Sequence, residues 1–489
     1  VTKASSDKDQ HVELTGRRLA MGAGAMGLSS VLKVAIQLVM LPLMARLLGP
    51  GEFGLYALAL PSVAFLQTLA DGGFGNSLAR EPESSEVVWS TAFWVLHGFC
   101  ALLACVVIGW SFLLAYLAHQ PRLQPVMAAL SISFLFLPSI TLGGARLIRR
   151  AQMVGGSIAD LVASLLGAAL GLGCAINHAG VWSLVAQLLC TCGARAVLIN
   201  IIVPRLPTFE FQFSVLKDHF AIGGSMVGGR LSDFTGKILE NALLSRSLGA
   251  PILGIYSFGN QASRFLCEAL SNPCWASLYV QALHRDRSSV LKSYYKTCRL
   301  MGVVLFPATI LIAASASTVI PLLLGHSWRL AAPVISIILP TNVVWVIGSQ
   351  CSALLYANGR SALPLWITAG FAIGRVAAVA AAPWVGLNGV VMGVGIINVI
   401  GGCAYVVLPA RATGSDPRII ARELAGPLVS AGGAGLACLA LTRMGPPSLP
   451  WGLLSLSASG LIYIIILFLI DQPRIMRDGR VISSMIFAR

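Results

Sequence analysis

Apolar runs of eighteen or more residues, broken by short polar turns, recur along nearly the whole chain. An α-helix rises about 1.5 Å per residue, so runs of this length cross the roughly 30 Å hydrocarbon core of a bilayer. The pattern predicts fourteen membrane-spanning segments, numbered here in chain order: 20–47, 53–76, 87–117, 124–145, 156–177, 181–203, 220–247, 251–282, 300–324, 331–357, 362–385, 388–410, 420–442 and 450–470. A large soluble protein with buried helices has no reason to repeat runs of bilayer length so often.

One motif returns after 200 residues. Arg46, Leu48, Gly49, Gly54 and Tyr56 are matched without a gap by Arg246, Leu248, Gly249, Gly254 and Tyr256. Such a register points to two related halves, and duplicated membrane halves usually make a transporter with the substrate path between them. Segments 1–6 then form an N-lobe at 20–205 and segments 7–12 a C-lobe at 220–411, joined by a cytoplasmic linker at 206–219. Segments 13 and 14, within 412–471, stand outside the repeat. Polar tails occupy 1–19 and 472–489, the first expected to be disordered. The fold class expected is an all-α polytopic membrane protein, two pseudo-twofold-related six-helix lobes plus two C-terminal helices. Because each half has an even number of segments, the axis should run along the membrane normal.

Composition agrees: 56% of residues are hydrophobic, only 11% are charged, and the mean hydropathy is +0.80. Charge adds orientation. With the N-terminus inside, 23 of the 34 Lys and Arg fall in inner loops and tails, and five (Arg46, Arg122, Arg246, Arg329 and Arg443) fall outside. Cytoplasmic loops retain positive charge during insertion, so both termini are expected in the cytoplasm. The net charge of +15 is then topological, and no nucleic-acid partner is expected. Residues 1–19 are polar and the first apolar run is long enough to span, so no cleavable signal peptide is read.

The outer loops, at 48–52, 118–123, 178–180, 248–250, 325–330, 386–387 and 443–449, are too short for a catalytic domain. No P-loop occurs, and Glu81 and Glu83 beside Arg80 read as a solvated turn. Transport rather than catalysis is expected. The eleven cysteines, Cys190 and Cys192 included, lack metal-ligand spacing and read as packing residues, so no metal or cofactor is expected.

The other six bases lie within segments: Lys33, Arg195, Arg230, Lys237, Arg264 and Arg375. A charge at the bilayer centre costs about 2.5–3.5 kcal/mol on insertion scales, so it tends to face a cavity or a partner. In segment 7, Arg230, Asp233, Lys237 and Glu240 are spaced by 3, 4 and 3 and share one helical face. Lys33 maps onto position 233 in the 200-residue register, so segments 1 and 7 present the same polar stripe. Arg230 with Asp233, Lys237 with Glu240 and Arg264 with Glu268 are spaced for local ion pairs, whereas Lys33, Arg195 and Arg375 have no such neighbour. Six deep bases against three deep acids, with Asp71 and Asp160 left aside near the cytoplasmic ends, favour an anionic substrate such as a pyrophosphate. Asp233, Glu240 and Glu268 are candidates for ion coupling or charge pairing. Gly22, Gly24, Gly27 and Pro42 in segment 1, and Gly223, Gly224, Gly228 and Gly229 in segment 7, permit close packing or bending.

At the level of motifs the chain resembles the Wzx-type polysaccharide flippases of the multidrug, oligosaccharidyl-lipid and polysaccharide exporter superfamily. The likeness is carried by Arg46–Tyr56, Leu69–Arg80, Leu239–Tyr256 and Leu354–Arg360, and it extends over nearly the whole chain. One departure is Glu240, where many such proteins have Asp before the asparagine of segment 7. The resemblance implies two lobes around a central cavity lined by segments 1, 2, 7 and 8. It also implies translocation of undecaprenyl-pyrophosphate-linked oligosaccharide repeat units across the bacterial inner membrane by alternating access. Membrane lipids, a polysaccharide polymerase and chain-length machinery would be the partners. A lipid II flippase and a multidrug or cation antiporter of the same fold are the alternatives. The excess of deep bases weighs against the antiporter.

Overall fold

The computed structural model describes all residues except 1, 72–77, 79–85, 151, 205–211, 213–233, 285, 361, 447 and 488–489. The described residues form helices and no strand. Eleven of these helices are long and apolar enough to cross a membrane, so the chain is a multi-pass membrane protein. Fourteen is an approximate count against that number. Segments 1 and 2 share one helix, Thr2–Asp71, bent at Gly49 where φ is 76°. Segment 7 is helical over 234–248, and segment 8, the helix Ala250–His284, is not among the eleven. Helix is assigned from Thr2, so the first tail continues the helix of segment 1. At the other end the helix Leu449–Phe487 bends at Asp471, which is non-helical, and runs on through the second tail.

The chain forms two compact units, Val1–Gly254 and Ile255–Arg489, so segment 7 groups with the first six. In the first unit, segments 5 (Met153–Ile176) and 6 (Trp182–Ile202) pack through glycine. A Cβ on Gly171 would come within 2.7 Å of the Gln187 Cβ, and one on Gly167 would collide with the Thr191 hydroxyl. Missing side chains let helices approach where lipid supplies no hydrophobic drive for association. In the second unit Gly348 and Gly402 do the same for segments 10 and 12. There Tyr294, Met301, Leu305, Val343, Ile347, Ala431 and Ala434 form a core shared by segments 9, 10 and 13.

Candidate functional site

The repeated motif has a structural reason in each half. Gly49 and Gly249 both take positive φ, 76° and 87°, which L side chains rarely adopt, and each starts the turn into the next helix. Gly54 and Gly254 then cross each other. A Cβ on Gly54 would fall on the carbonyl oxygen of Ala250 and 2.8 Å from the Gly254 nitrogen; one on Gly254 would fall on the carbonyl oxygen of Pro50 and 2.8 Å from the Gly54 nitrogen. Under the 200-residue register these are the same two contacts exchanged, so a local twofold axis passes between the glycines. The Asn241 amide donates to the Ala57 carbonyl at 2.8 Å, and Phe65 meets Phe234 at 5.5 Å, fixing segment 7 against segment 2. Beside this crossing Glu52 takes both guanidinium arms of Arg122, at 2.7 and 3.1 Å, and accepts from the Val181 amide at 2.9 Å, tying three turns together.

Three of the segments in the first unit bring charges together. The Lys33 ammonium donates to Asp160 Oδ2 at 2.6 Å, and Arg195 Nε lies 2.6 Å from Asp160 Oδ1. The three side chains are 31%, 42% and 20% exposed for Lys33, Arg195 and Asp160, so the group is reachable. Two bases and one acid leave it net positive. Asp160, set aside among the charges near the segment ends, is the partner of two bases that lack local neighbours. It lies 127 residues from Lys33, beyond any periodicity argument. Being on the second turn of its helix, it places the cluster toward the end that the loop charges assign to the cytoplasm.

Of the other candidates, Arg264 pairs with Glu268 at 3.0 Å, as their spacing anticipates. The Lys237 ammonium lies 5.5 Å from the centre of the Phe234 ring, and Glu240 is buried, 4% exposed. Arg230 and Asp233 lie outside the described residues. Arg375 donates to the Tyr256 hydroxyl at 3.0 Å, to Asn260 Oδ1 at 3.1 Å and to Asn398 Oδ1 at 3.3 Å, and its guanidinium faces Phe371. Neutral dipoles thus share its charge, with the repeat-motif tyrosine among them. Arg46 and Arg246 are exposed, whereas Tyr256 is buried. Among the described residues no group of His, Cys, Asp and Glu is arranged to hold a metal.

One buried charged group is not legible in the sequence. Arg299, counted there as an inner-loop base, is only 3% exposed. It reaches Asp471 at 2.6 Å and Glu423 at 3.4 Å, joining segments 9, 14 and 13. The signal was faint: Glu423 and Asp471 each sit at the edge of an apolar run, where a solvated charge is the ordinary expectation.

Comparison with known proteins fits this architecture. A family described as "Polysaccharide biosynthesis protein" matches residues 43–333. The lipopolysaccharide biosynthesis protein WzxC of Escherichia coli is 22% identical over 69% of this chain and 70% of its own length. The succinoglycan biosynthesis transport protein ExoT of Rhizobium meliloti is 25% identical, over 68% and 67% respectively. The teichuronic acid biosynthesis protein TuaB of Bacillus subtilis is 22% identical, over 72% and 74%. Among solved structures, the lipid II flippase MurJ in an inward closed conformation superposes with a TM-score of 0.74, covering 93% of this chain and 100% of that one at 12% identity. An inward-facing multidrug transporter of the MATE family gives 0.64, covering 79% and 98% at 13%. At such identities the structural likeness concerns the fold.

Proposed function

Since this chain belongs to the polysaccharide biosynthesis protein family, we propose that it is a flippase for polyprenyl-pyrophosphate-linked oligosaccharide repeat units. It acts in the bacterial inner membrane, with both termini in the cytoplasm, and serves the assembly of an exopolysaccharide, capsule or O-antigen. The observation that carries this reading beyond the family is the net positive Lys33–Asp160–Arg195 cluster, partly exposed on spanning helices. Cations there replace water around the diphosphate while the polyprenyl tail stays in lipid, and no bond is made or broken. Names among the relatives support it: one is a transport protein for succinoglycan biosynthesis, another a lipopolysaccharide biosynthesis protein. Arg230 and Lys237, which the 200-residue register aligns with the stripe of Lys33, are candidate contacts of the same kind, and Arg264 and Arg375 are further candidates. A polymerase and chain-length proteins would take the product on the far side.

The test is polymer export in a flippase-deleted cell carrying Lys33→Ala, Lys33→Arg or Lys33→Glu at matched membrane levels. Loss of one charge-assisted contact costs about 1.5–3 kcal/mol, so export should fall at least about tenfold for Lys33→Glu if binding limits the cycle. Lys33→Arg should fall less, because charge is kept while geometry changes. Full export by Lys33→Glu would remove the cationic contact from the mechanism.

A further inference from the structure

We propose that Asp160 is a built-in stand-in for the substrate's diphosphate: it offsets part of the charge of Lys33 and Arg195 in the empty protein and yields Arg195 when an anionic head group arrives. This rests on the reading of these two bases as head-group contacts. Each cation takes one oxygen of the same carboxylate, the lysine on Oδ2 and the arginine on Oδ1, both at 2.6 Å. A diphosphate offers the same kind of oxygen in greater number and with more charge. It can therefore replace the carboxylate without leaving a cation unpaired in a place where unpaired charge is costly.

The two pairs are unequal. Lys33 makes a hydrogen bond to Asp160, whereas Arg195 Nε and Asp160 Oδ1 are both buried atoms that meet without hydrogen-bond geometry. The arginine pair is the less well directed of the two, so the arginine is the arm that exchanges first. It is also the side chain able to grip phosphate oxygens with two parallel donors.

The helices around the cluster are pinned. The Ser29 hydroxyl donates to the Ser157 carbonyl at 3.1 Å, one turn before Lys33 and Asp160, and segments 5 and 6 are in contact at Gly167 and Gly171. Exchange is thus a side-chain movement on a fixed frame. The carboxylate also limits affinity, which lets the far side release what the near side has bound.

The experiment measures binding of farnesyl pyrophosphate and of inorganic pyrophosphate to the full chain in detergent, with farnesol as the uncharged control. Asp160→Asn should bind both anions about tenfold more tightly, equivalent to about 1.4 kcal/mol, while Lys33→Gln and Arg195→Gln bind them at least about tenfold more weakly. A preference for farnesyl over inorganic pyrophosphate identifies a lipid head group as the ligand, and equal affinity identifies the free anion; either bears out the stand-in if Asp160→Asn tightens it. Unchanged or weaker binding by Asp160→Asn, alongside the losses at Lys33 and Arg195, would overturn the stand-in and leave the proposed function in place. No loss at either base would overturn both. Should Asp160→Asn fail to fold, the unaltered protein decides: carbodiimide coupling of a labelled amine to Asp160, read by mass spectrometry, should rise when farnesyl pyrophosphate is added, and no rise sinks the proposal.

Discussion

Gly49 and Gly54 lie five residues apart in one motif, yet they are glycines for different reasons, and substitution should separate them. Gly49 has positive φ and open space, with nothing within 4 Å of an added Cβ. Gly49→Ala should therefore cost about 1–3 kcal/mol of backbone strain, and Gly49→Asn as much, since a ψ of 168° beside the positive φ lies in a region essentially reserved for glycine. At Gly54 the added atom meets backbone, which cannot rotate away. Gly54→Ala should cost more than Gly49→Ala, at the upper end of the roughly 1–3 kcal/mol typical of overpacking, and Gly54→Leu should not assemble. Thermal unfolding in detergent ranks the variants; equal losses at the two positions would contradict the crossing. The glycines were legible as a repeat because both halves spell the same word. Asp160 was not, since an acid two turns from a helix start ordinarily faces water and nothing in its neighbourhood names Lys33 as its partner.

Single helices were the most legible scale, because bilayer length dictates the apolar runs, whereas what joins helices depends on residues far apart. Segments 13 and 14 show this. They lack deep charge along their middles, yet the ends of these helices at Glu423 and Asp471 are held by Arg299, and the Tyr463 hydroxyl donates to the Val303 carbonyl at 2.8 Å. Removing one member of a buried pair strands the other, so Asp471→Ala or Arg299→Leu should destabilise the protein by about 3–5 kcal/mol, seen as a fall in Tm. A change within 1 kcal/mol would show that the pair carries little. At the start of the helix Arg287–Leu324, which contains segment 9, Asp286 accepts from the Ser288 hydroxyl at 2.5 Å and the Ser289 amide at 3.1 Å, and these bonds hold its carboxyl below the usual 3.8. A lowered carboxylate stabilises the fold above its unfolded pKa and loses that contribution as the pH falls through the folded value. Amide exchange at Ser289, corrected for intrinsic rate, should stay slow at neutral pH and quicken in acid. In Asp286→Ala it should be fast throughout.

For the whole molecule, the asymmetry of basic residues between loops predicts sidedness. In a cysteine-free background, His119→Cys should react with an impermeant maleimide in intact cells, and Asn358→Cys only after permeabilisation. The reverse result would invert the topology and move the Lys33–Asp160–Arg195 cluster to the far side. The crossing of Gly54 and Gly254 has a consequence for ancestry. Were the halves separate copies of one chain, a single glycine would face its own image across the axis, and one codon change would strike both sides of the contact. Fusion lets each half drift alone elsewhere, but here each glycine is the surface on which the other half's backbone rests, so neither copy gained freedom when the gene doubled. A contact of this kind leaves either glycine little room to change, and residues 46–56 and 246–256 share Arg, Leu, Gly, Gly and Tyr in one register.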